Sequence, residues 1–207
     1  MRLLQCGLVT LRVCYNVSMT TITTPSHQLP HPSNATISSN AENLVTPEHP
    51  AAEKGDARLL GGKAAALARL YAAGLPAPSY VVVTTVGARA AIDGALWQQL
   101  VAVKDAAEAA AILAQASMSP QIGMALEAAL MNLAPAGSRF AVRSSAVDED
   151  GSGNSFAGQL ASFLNVPTAE VAARVVDVWR SAYRPSVYAY RRERGLAGPP
   201  QLPAVLI

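Results

Sequence analysis

The stretch that decides the fold is residues 140–159, with the sequence FAVRSSAVDEDGSGNSFAGQ. It begins as an apolar strand containing Arg143, passes through a loop rich in glycine, serine and acidic residues, and is followed by a second apolar run at 160–166. This order predicts a β-hairpin with a long connecting loop. Backbone N–H groups and hydroxyls in such a loop, beside an arginine, suit a phosphate group. The alternative is a plain connector whose arginine forms a surface ion pair.

Composition and charge indicate a folded domain without a strong electrostatic preference. The 207 residues are 51% hydrophobic and 14% charged, and the net charge is +2. The length corresponds to one domain or slightly more. A net charge this small gives no reason to expect nucleic acid or a membrane as a partner, and we expect a cytoplasmic protein.

The positions of cysteine and histidine exclude several kinds of site. Both cysteines and all three histidines precede residue 50, at Cys6, Cys14, His27, His31 and His49. The sequence therefore has no disulfide framework and no CxxC metal spacing. The predicted core contains no histidine, which excludes a Ser/His/Asp or Cys/His catalytic set built on it. We also expect no metal site within this sequence.

Two regions of the chain differ in composition. Residues 18–50 are rich in serine, threonine, proline and asparagine, which predicts a disordered extension over residues 1–45. The mildly apolar run at 1–17 is interrupted by Arg12 and is too short to span a bilayer. Residues 46–207 are predicted to form the folded domain.

The order of strand and helix signals in this domain predicts an α+β fold. The apolar run at 57–60 is interpreted as a short strand, and the helix after it, at 64–73, is expected to bury Leu67, Leu70 and Tyr71. Met118, Met124 and Met131 are expected to fill the core. Further elements are predicted as a strand at 80–84, helices at 86–92, 105–116, 120–133, 169–183 and 185–194, and a strand from 204.

A second candidate for phosphate binding is the Gly-Gly-Lys sequence at 61–63. A glycine turn that enters a helix leaves N–H groups at the positive end of the helix dipole, and Lys63 adds a charge there. The spacing is not that of a P-loop, so a tight turn with a solvated lysine is the alternative. Each phosphate signal is weak alone, but both fit one nucleoside triphosphate.

Three other patterns have weaker functional interpretations. Asp148 and Asp150 fit the first positions of a calcium loop, but Gln159 stands where that loop needs glutamate, so we expect a solvated turn or an indirect contact with phosphate-bound Mg²⁺. Ser144 and Ser145 have no neighbouring base that would make them nucleophiles. The arginines between 174 and 194 predict a solvated face, because a nucleic-acid patch would need aromatics interleaved on that face.

Four stretches together resemble the N-terminal nucleotide-binding domain of the phosphoenolpyruvate synthase and pyruvate phosphate dikinase family, which has an ATP-grasp-like fold. They are LGGKAAAL at 60–67, AGLPAPSY at 73–80, AVRSSA at 141–146 and SFAGQ at 155–159. The similarity extends through FLNV at 163–166 and VWRS at 178–181 and looks closer to the synthase branch. It covers residues 46–207 as a partial ATP-binding domain of this type.

The resemblance implies roles for particular residues. Lys63 and Arg143 match a lysine and an arginine that contact ATP phosphates, and Arg143 is the implied catalytic residue. The loop implied to fold over the nucleotide consists of Ser155, Phe156, Ala157, Gly158 and Gln159. In the family, ATP phosphorylates a histidine on a swivelling domain, and that histidine passes the phosphate to pyruvate on a barrel domain.

The sequence also departs from the family pattern, since it stops at Ile207, before the lobe that supplies adenine contacts and acidic Mg²⁺ ligands. We therefore expect an incomplete ATP-grasp-like N-terminal lobe that lacks its second lobe and is inactive alone. The expected ligands are ATP and Mg²⁺, with the metal ligands in the missing lobe. The expected reaction is phosphoenolpyruvate synthesis, and the alternatives are transfer to an antibiotic or glucan acceptor, or a non-catalytic binding module.

Overall fold

The computed structural model describes residues 42–103, 105–147, 160–196 and 199–207. The elements in these ranges mix helices with an antiparallel sheet, which confirms the α+β prediction. The strands are β1 (Leu44–Val45), β2 (Val82–Val83), β3 (Arg139–Ser145), β4 (Ser162–Pro167) and β5 (Ala204–Leu206). The helices are α1 (Pro50–Lys54), α2 (Ala57–Ala72), α3 (Thr85–Ala91), α4 (Gly94–Ala102), α5 (Ala106–Ala114), α6 (Pro120–Leu133), α7 (Thr168–Ser181) and α8 (Pro185–Glu193).

The strands form one sheet in the order β1-β2-β5-β3-β4, and every neighbouring pair is antiparallel. The β3–β4 pair is the hairpin predicted from residues 140–166, with Phe140 opposite Val166. Strand β5 lies in the middle, with Leu206 opposite Val82 on one side and Arg143 on the other. The predicted strand near residue 204 is thus confirmed, and the structure adds that it is the central strand of the sheet.

Apolar residues are buried on both faces of the sheet, because side chains alternate along each strand. On one face, Val81, Val83 and Val205 join a large cluster with the buried sides of α3 to α7. On the other face, Val82 and Ala204 join a smaller cluster with α1 and α2. Helix α2 is therefore the element that covers the second face, and its position determines where Lys63 lies.

The start of α2 differs from the prediction, since residues 57–60 form a helical turn and not a strand. The Asp56 carboxylate accepts a hydrogen bond from the Arg58 backbone N–H at 2.9 Å and caps this turn. The turn ends at Gly61, whose backbone has a φ of 73° and a ψ of 170° in the middle of the helix. Helix α2 therefore consists of a first turn and a longer second part that begins again after Gly61.

The buried face of α2 also differs from the prediction. Leu70 and Tyr71 are 43% and 39% exposed, and the buried positions in the second part are Ala64, Ala65 and Ala68. Small side chains allow the helix axis to approach the sheet closely, which a leucine face would prevent. The predicted end of the helix is confirmed, because Gly74 has a φ of 69° and its N–H donates to the Tyr71 carbonyl at 3.0 Å.

Side-chain caps define the helices on the opposite face. The Thr84 hydroxyl accepts from the Gly87 N–H at 2.9 Å, and the Asp105 carboxylate caps α5. Helix α4 was not predicted, because Gly94 follows the predicted helix at 86–92 and glycine is a common helix breaker. The break is real, but the Asp93 carboxylate accepts from the Ala95 N–H at 2.8 Å and starts a new helix at once.

Helix α6 packs with the stripe that its sequence predicts, since Ile122, Leu126 and Leu130 are buried. The prediction that methionines fill the core is wrong for Met124 and Met131, which are 67% and 66% exposed. Both lie away from the buried stripe, so their helical position rather than their apolarity decides their exposure. Nowhere in the described ranges does a helix combine the length and apolarity needed to cross a membrane.

The arginines of α7 have two different environments. Arg174 forms ion pairs with Glu170 and Asp177 on its own helix, as expected for a solvated face. Arg180 also pairs with Asp177, at 3.0 Å, and in addition it reaches α5, where it donates to the carbonyl oxygens of Leu113, Ala114 and Ala116 at 3.0, 3.2 and 2.9 Å. Arg180 therefore satisfies carbonyl groups at the end of α5 and joins two helices, which its position in the sequence did not reveal.

Candidate functional site

Strand β3 contains the predicted site residue Arg143, which is exposed to solvent. Phe140 and Val142 point into the large core, whereas Arg139, Ala141 and Arg143 are exposed on the opposite face. In the part of the chain that the structure describes, no hydrogen bond or ion pair engages the Arg143 guanidinium. Its strand neighbour is Leu206, at the edge of the cluster beneath α2. The guanidinium is thus available to a ligand on the exposed face of β3.

The restart of α2 is hydrogen-bonded to the end of β3 on both sides of Lys63. The Gly62 N–H donates to the Ala146 carbonyl at 3.0 Å. The Ala64 N–H donates to the Ser145 Oγ at 3.0 Å. Because Lys63 lies between these two donors, its backbone is held against the strand that carries Arg143.

The close contact between the two segments requires glycine at position 61. A Cβ atom on Gly61 would overlap the carbonyl group of Ser145, and the φ of 73° lies in the region that favours glycine. Ser145 is fully buried, with 0% exposure. The first glycine of the Gly-Gly-Lys sequence therefore serves the packing of α2 on β3, not a direct approach to a ligand.

The two phosphate candidates predicted from separate parts of the sequence therefore lie on elements that pack against each other. Lys63 is half-buried at the restart of α2, and Arg143 lies two residues before Ser145 on the same face of β3. Two cationic side chains on two rigid elements suit an anion that carries several charges. The expectation of free N–H groups at the glycine turn is wrong for Gly62 and Ala64, since both donate to β3.

The remaining predicted site residues lie outside the described part of the chain. They are Ser155, Phe156, Ala157, Gly158 and Gln159, and the acidic residues 148–150 lie outside it as well. The described chain leaves β3 next to the Gly62 contact and re-enters at residue 160, and the Ala161 N–H then donates to the Ser181 Oγ at 2.9 Å. The roles expected for residues 155–159 stay predictions.

Metal binding by the described part of the chain has no support. Within the described ranges, no group of three or more histidine, cysteine, aspartate or glutamate side chains is arranged to hold a metal ion. The described residues therefore do not fit a Mg²⁺ site of their own. They offer positive charge, which suits the phosphates of a nucleotide and not its metal ion.

Comparison with known protein families identifies the domain. A family model described as "Pyruvate phosphate dikinase, AMP/ATP-binding domain" matches residues 57–207, which include every described element from α2 to β5. The chain belongs to this family. The region that matches the pyruvate phosphate dikinase family begins with the first turn of α2 and contains both Lys63 and Arg143.

Two curated relatives extend the comparison. The chain is 34% identical over 134 residues to the prodigiosin synthesizing transferase PigC of Serratia marcescens, a match that covers 64% of this chain and 15% of PigC. It is 31% identical over 138 residues to the uncharacterized phosphotransferase YvkC of Bacillus subtilis (strain 168), which covers 66% of this chain and 16% of YvkC. The chain thus spans less than a fifth of the length of either relative.

The sequence reasoning missed the part that Ser145 plays in this site. It rejected Ser144 and Ser145 as nucleophiles and assigned them no other role, whereas the Ser145 hydroxyl binds the backbone of α2. A signal was present, because Gly61 and Gly62 have no side chains to cap the helix that follows them. A helix start without its own capping residue needs an acceptor from elsewhere in the chain.

Proposed function

We propose that this chain binds the phosphates of ATP through Lys63 and Arg143 and forms part of an ATP-dependent phosphotransferase. The reaction proposed for the whole enzyme is phosphoenolpyruvate synthesis, in which ATP phosphorylates a histidine and the histidine passes the phosphate to pyruvate. The histidine and the pyruvate site belong to other domains of such an enzyme. The contribution of this chain is to hold the nucleotide.

The observation that carries the proposal is the pair of hydrogen bonds that joins the restart of α2 to the end of β3 on either side of Lys63. Charge on the transferred phosphoryl group must be neutralised by groups that are already in position, since solvent reorganisation is costly. Arg143 offers a planar fork that can bind two phosphate oxygens, and Lys63 offers a compact point charge. Together they suit neighbouring phosphates of one nucleotide.

Mg²⁺ belongs to the proposal only as the ion that accompanies ATP. The described residues do not fit a metal site, so its protein ligands are proposed to lie outside them. No step assigned to Lys63 or Arg143 depends on the metal. Both residues bind and orient phosphate oxygens through hydrogen bonds and charge.

The test is a calorimetric titration of the chain with ATP and, separately, with adenosine. Lys63→Ala and Arg143→Ala are each expected to weaken ATP binding by roughly tenfold or more, because each removes a charge-assisted hydrogen bond. Adenosine, which carries no phosphate, should give no binding in any of these variants, because its adenine contacts are expected outside this sequence. Arg139→Ala, on the same exposed face of β3, and Lys54→Ala, in the last turn of α1, are the matched controls.

Two outcomes would contradict the proposal. One is that the unmodified chain shows no ATP binding at millimolar nucleotide, which would favour a non-catalytic module. The other is that Arg139→Ala weakens ATP binding as much as Arg143→Ala, which would indicate a diffuse effect of surface charge.

A second candidate function keeps the same ATP site and changes the acceptor. It is favoured by the match to PigC, which is named for prodigiosin synthesis and not for pyruvate. Family relatives that phosphorylate an antibiotic or a glucan would fall in the same group. An assay of the intact gene product with ATP and pyruvate decides between them, since phosphoenolpyruvate forms only if pyruvate is the acceptor.

A further inference from the structure

We propose that Ser145 is a positioning residue for nucleotide binding, because its hydroxyl fixes Lys63 relative to the strand that carries Arg143. This inference rests on the proposed function and extends it to a buried side chain that binds the backbone of α2. Ser145 is fully buried, and its Oγ accepts from the Ala64 N–H at 3.0 Å.

The hydroxyl does for α2 what a capping residue normally does from within the helix. After Gly61 interrupts α2, the second part starts with Gly62, which has no side chain that could accept a hydrogen bond. Ser145 supplies the acceptor from β3, and it lies 81 residues further along the chain than Ala64. The start of the helix is therefore stabilised only when it is docked against β3.

The backbone of Lys63 is held by hydrogen bonds of the residues on both of its sides. The residue before it, Gly62, is bonded to Ala146, and the residue after it, Ala64, is bonded to Ser145. A shift of Lys63 along the helix axis would break at least one of these bonds. The lysine is thus held in position before any ligand arrives, which is the condition for effective electrostatic stabilisation.

The two serines of β3 have different surroundings because side chains alternate along a strand. Ser145 lies on the α2 side with Arg143, whereas Ser144 lies on the side of Val142 and the large core. Both are buried. Because of its position in the strand, Ser145 and not Ser144 forms the hydrogen bond to α2.

The first experiment measures the binding of ATP and of inorganic tripolyphosphate to the full chain with substitutions at Ser145. Ser145→Ala is expected to weaken both by roughly tenfold, since Lys63 loses its fixed position. Ser145→Thr keeps the hydroxyl and should bind like the unmodified chain, even though its extra methyl group in a buried site lowers stability. Should Ser145→Ala fail to fold, Ser145→Cys keeps the volume but has a weak acceptor and must show the same loss.

The control is Thr84→Ala, which removes another buried hydroxyl that accepts from a helix N–H, at 2.9 Å in α3. It should lower stability by a similar amount without weakening tripolyphosphate binding. Equal losses of binding in Thr84→Ala and Ser145→Ala would show that only stability is involved, and would overturn the positioning role.

A double-mutant cycle then tests whether Ser145 acts through Lys63. In the Lys63→Ala background, Ser145→Ala is expected to cause no further loss of phosphate binding, because the group it positions is gone. Additive losses would overturn the positioning role and leave the proposed function intact. Failure of the unmodified chain to bind ATP would overturn the proposed function and this inference with it.

Discussion

The carbonyl group of Ser145 lies where the side chain of residue 61 would begin, so only glycine allows α2 to dock on β3. This contact joins the two stretches that contain the predicted site residues. It also places a backbone with a φ of 73° inside a helix, next to a fully buried strand end. Position 61 is therefore constrained both by space and by conformation.

Substitution of Gly61 is expected to destabilise the domain severely. Gly61→Ala should lower the free energy of unfolding by about 3 kcal/mol or more, because its Cβ overlaps backbone atoms that cannot move independently. Gly74→Ala is the matched control, since Gly74 also has a positive φ but a Cβ added there would meet no atom within 4 Å. It should cost about 1–2 kcal/mol. Urea unfolding measures both, and equal losses would contradict the packing explanation.

Arg180 provides a second prediction about stability. Arg180→Ala should lower the free energy of unfolding by about 2 kcal/mol, because it removes hydrogen bonds from a charged donor to the carbonyl groups at the end of α5. Arg174→Ala, on the same helix, loses surface ion pairs and a cation–π contact with Phe163, and it should cost about 1 kcal/mol. Arg180→Lys should fall between them, since lysine lacks the planar fork. A larger loss in Arg174→Ala would show that the contacts with α5 matter little.

The buried tyrosines predict a loss of stability at alkaline pH. Burial raises the pKa of Tyr183, whose hydroxyl donates to the Pro200 carbonyl at 2.7 Å, and burial also raises the pKa of Tyr80 and Tyr188. Above about pH 10 the unfolded chain loses these protons while the folded chain keeps them. The contribution of these tyrosines to the free energy of unfolding is therefore complete below about pH 10 and decreases as the pH rises above that value.

Tyr183→Phe tests this assignment. The variant should be less stable than the unmodified chain at neutral pH, because the hydrogen bond to Pro200 is lost, and its stability should decrease less steeply above about pH 10. Urea unfolding at a series of pH values, with tyrosinate absorbance as the second measurement, decides the question. If the stability of Tyr183→Phe depends on pH in the same way as that of the unmodified chain, Tyr183 does not cause the loss of stability at alkaline pH.

The sequence was most informative where local patterns and burial agree. The hairpin around residues 140–166 and the apolar faces of α6 and α7 have regular periods, and the structure confirms them. The resemblance carried by the same stretches identified the family correctly. Lys63 and Arg143 lie on elements that pack together, as the prediction of a shared ligand requires, while their contacts with ATP stay a prediction.

The parts that failed depend on tertiary contacts that no local pattern contains. Helix α2 has two candidate apolar faces, and the alanine face is buried because the sheet approaches closely, while Leu70 and Tyr71 stay exposed. Residues 57–60 look like a strand by composition, but the Asp56 cap makes them helical. Arg180 looks like any surface arginine until α5 is placed beside it.

The central place of β5 has a consequence for how the domain folds. Strand β5 pairs with β2 through Val82 and Leu206, which are far apart in sequence, while β3 and β4 form a local hairpin. The sheet can close only after a long loop has been ordered, and contacts of this kind slow folding because loop entropy is lost before they form. We therefore expect the β3–β4 hairpin to form early. The pairing of β5 with β2 on one side and with β3 on the other is expected to form late. Chains released from synthesis before residue 204 would expose the edges of both halves to aggregation.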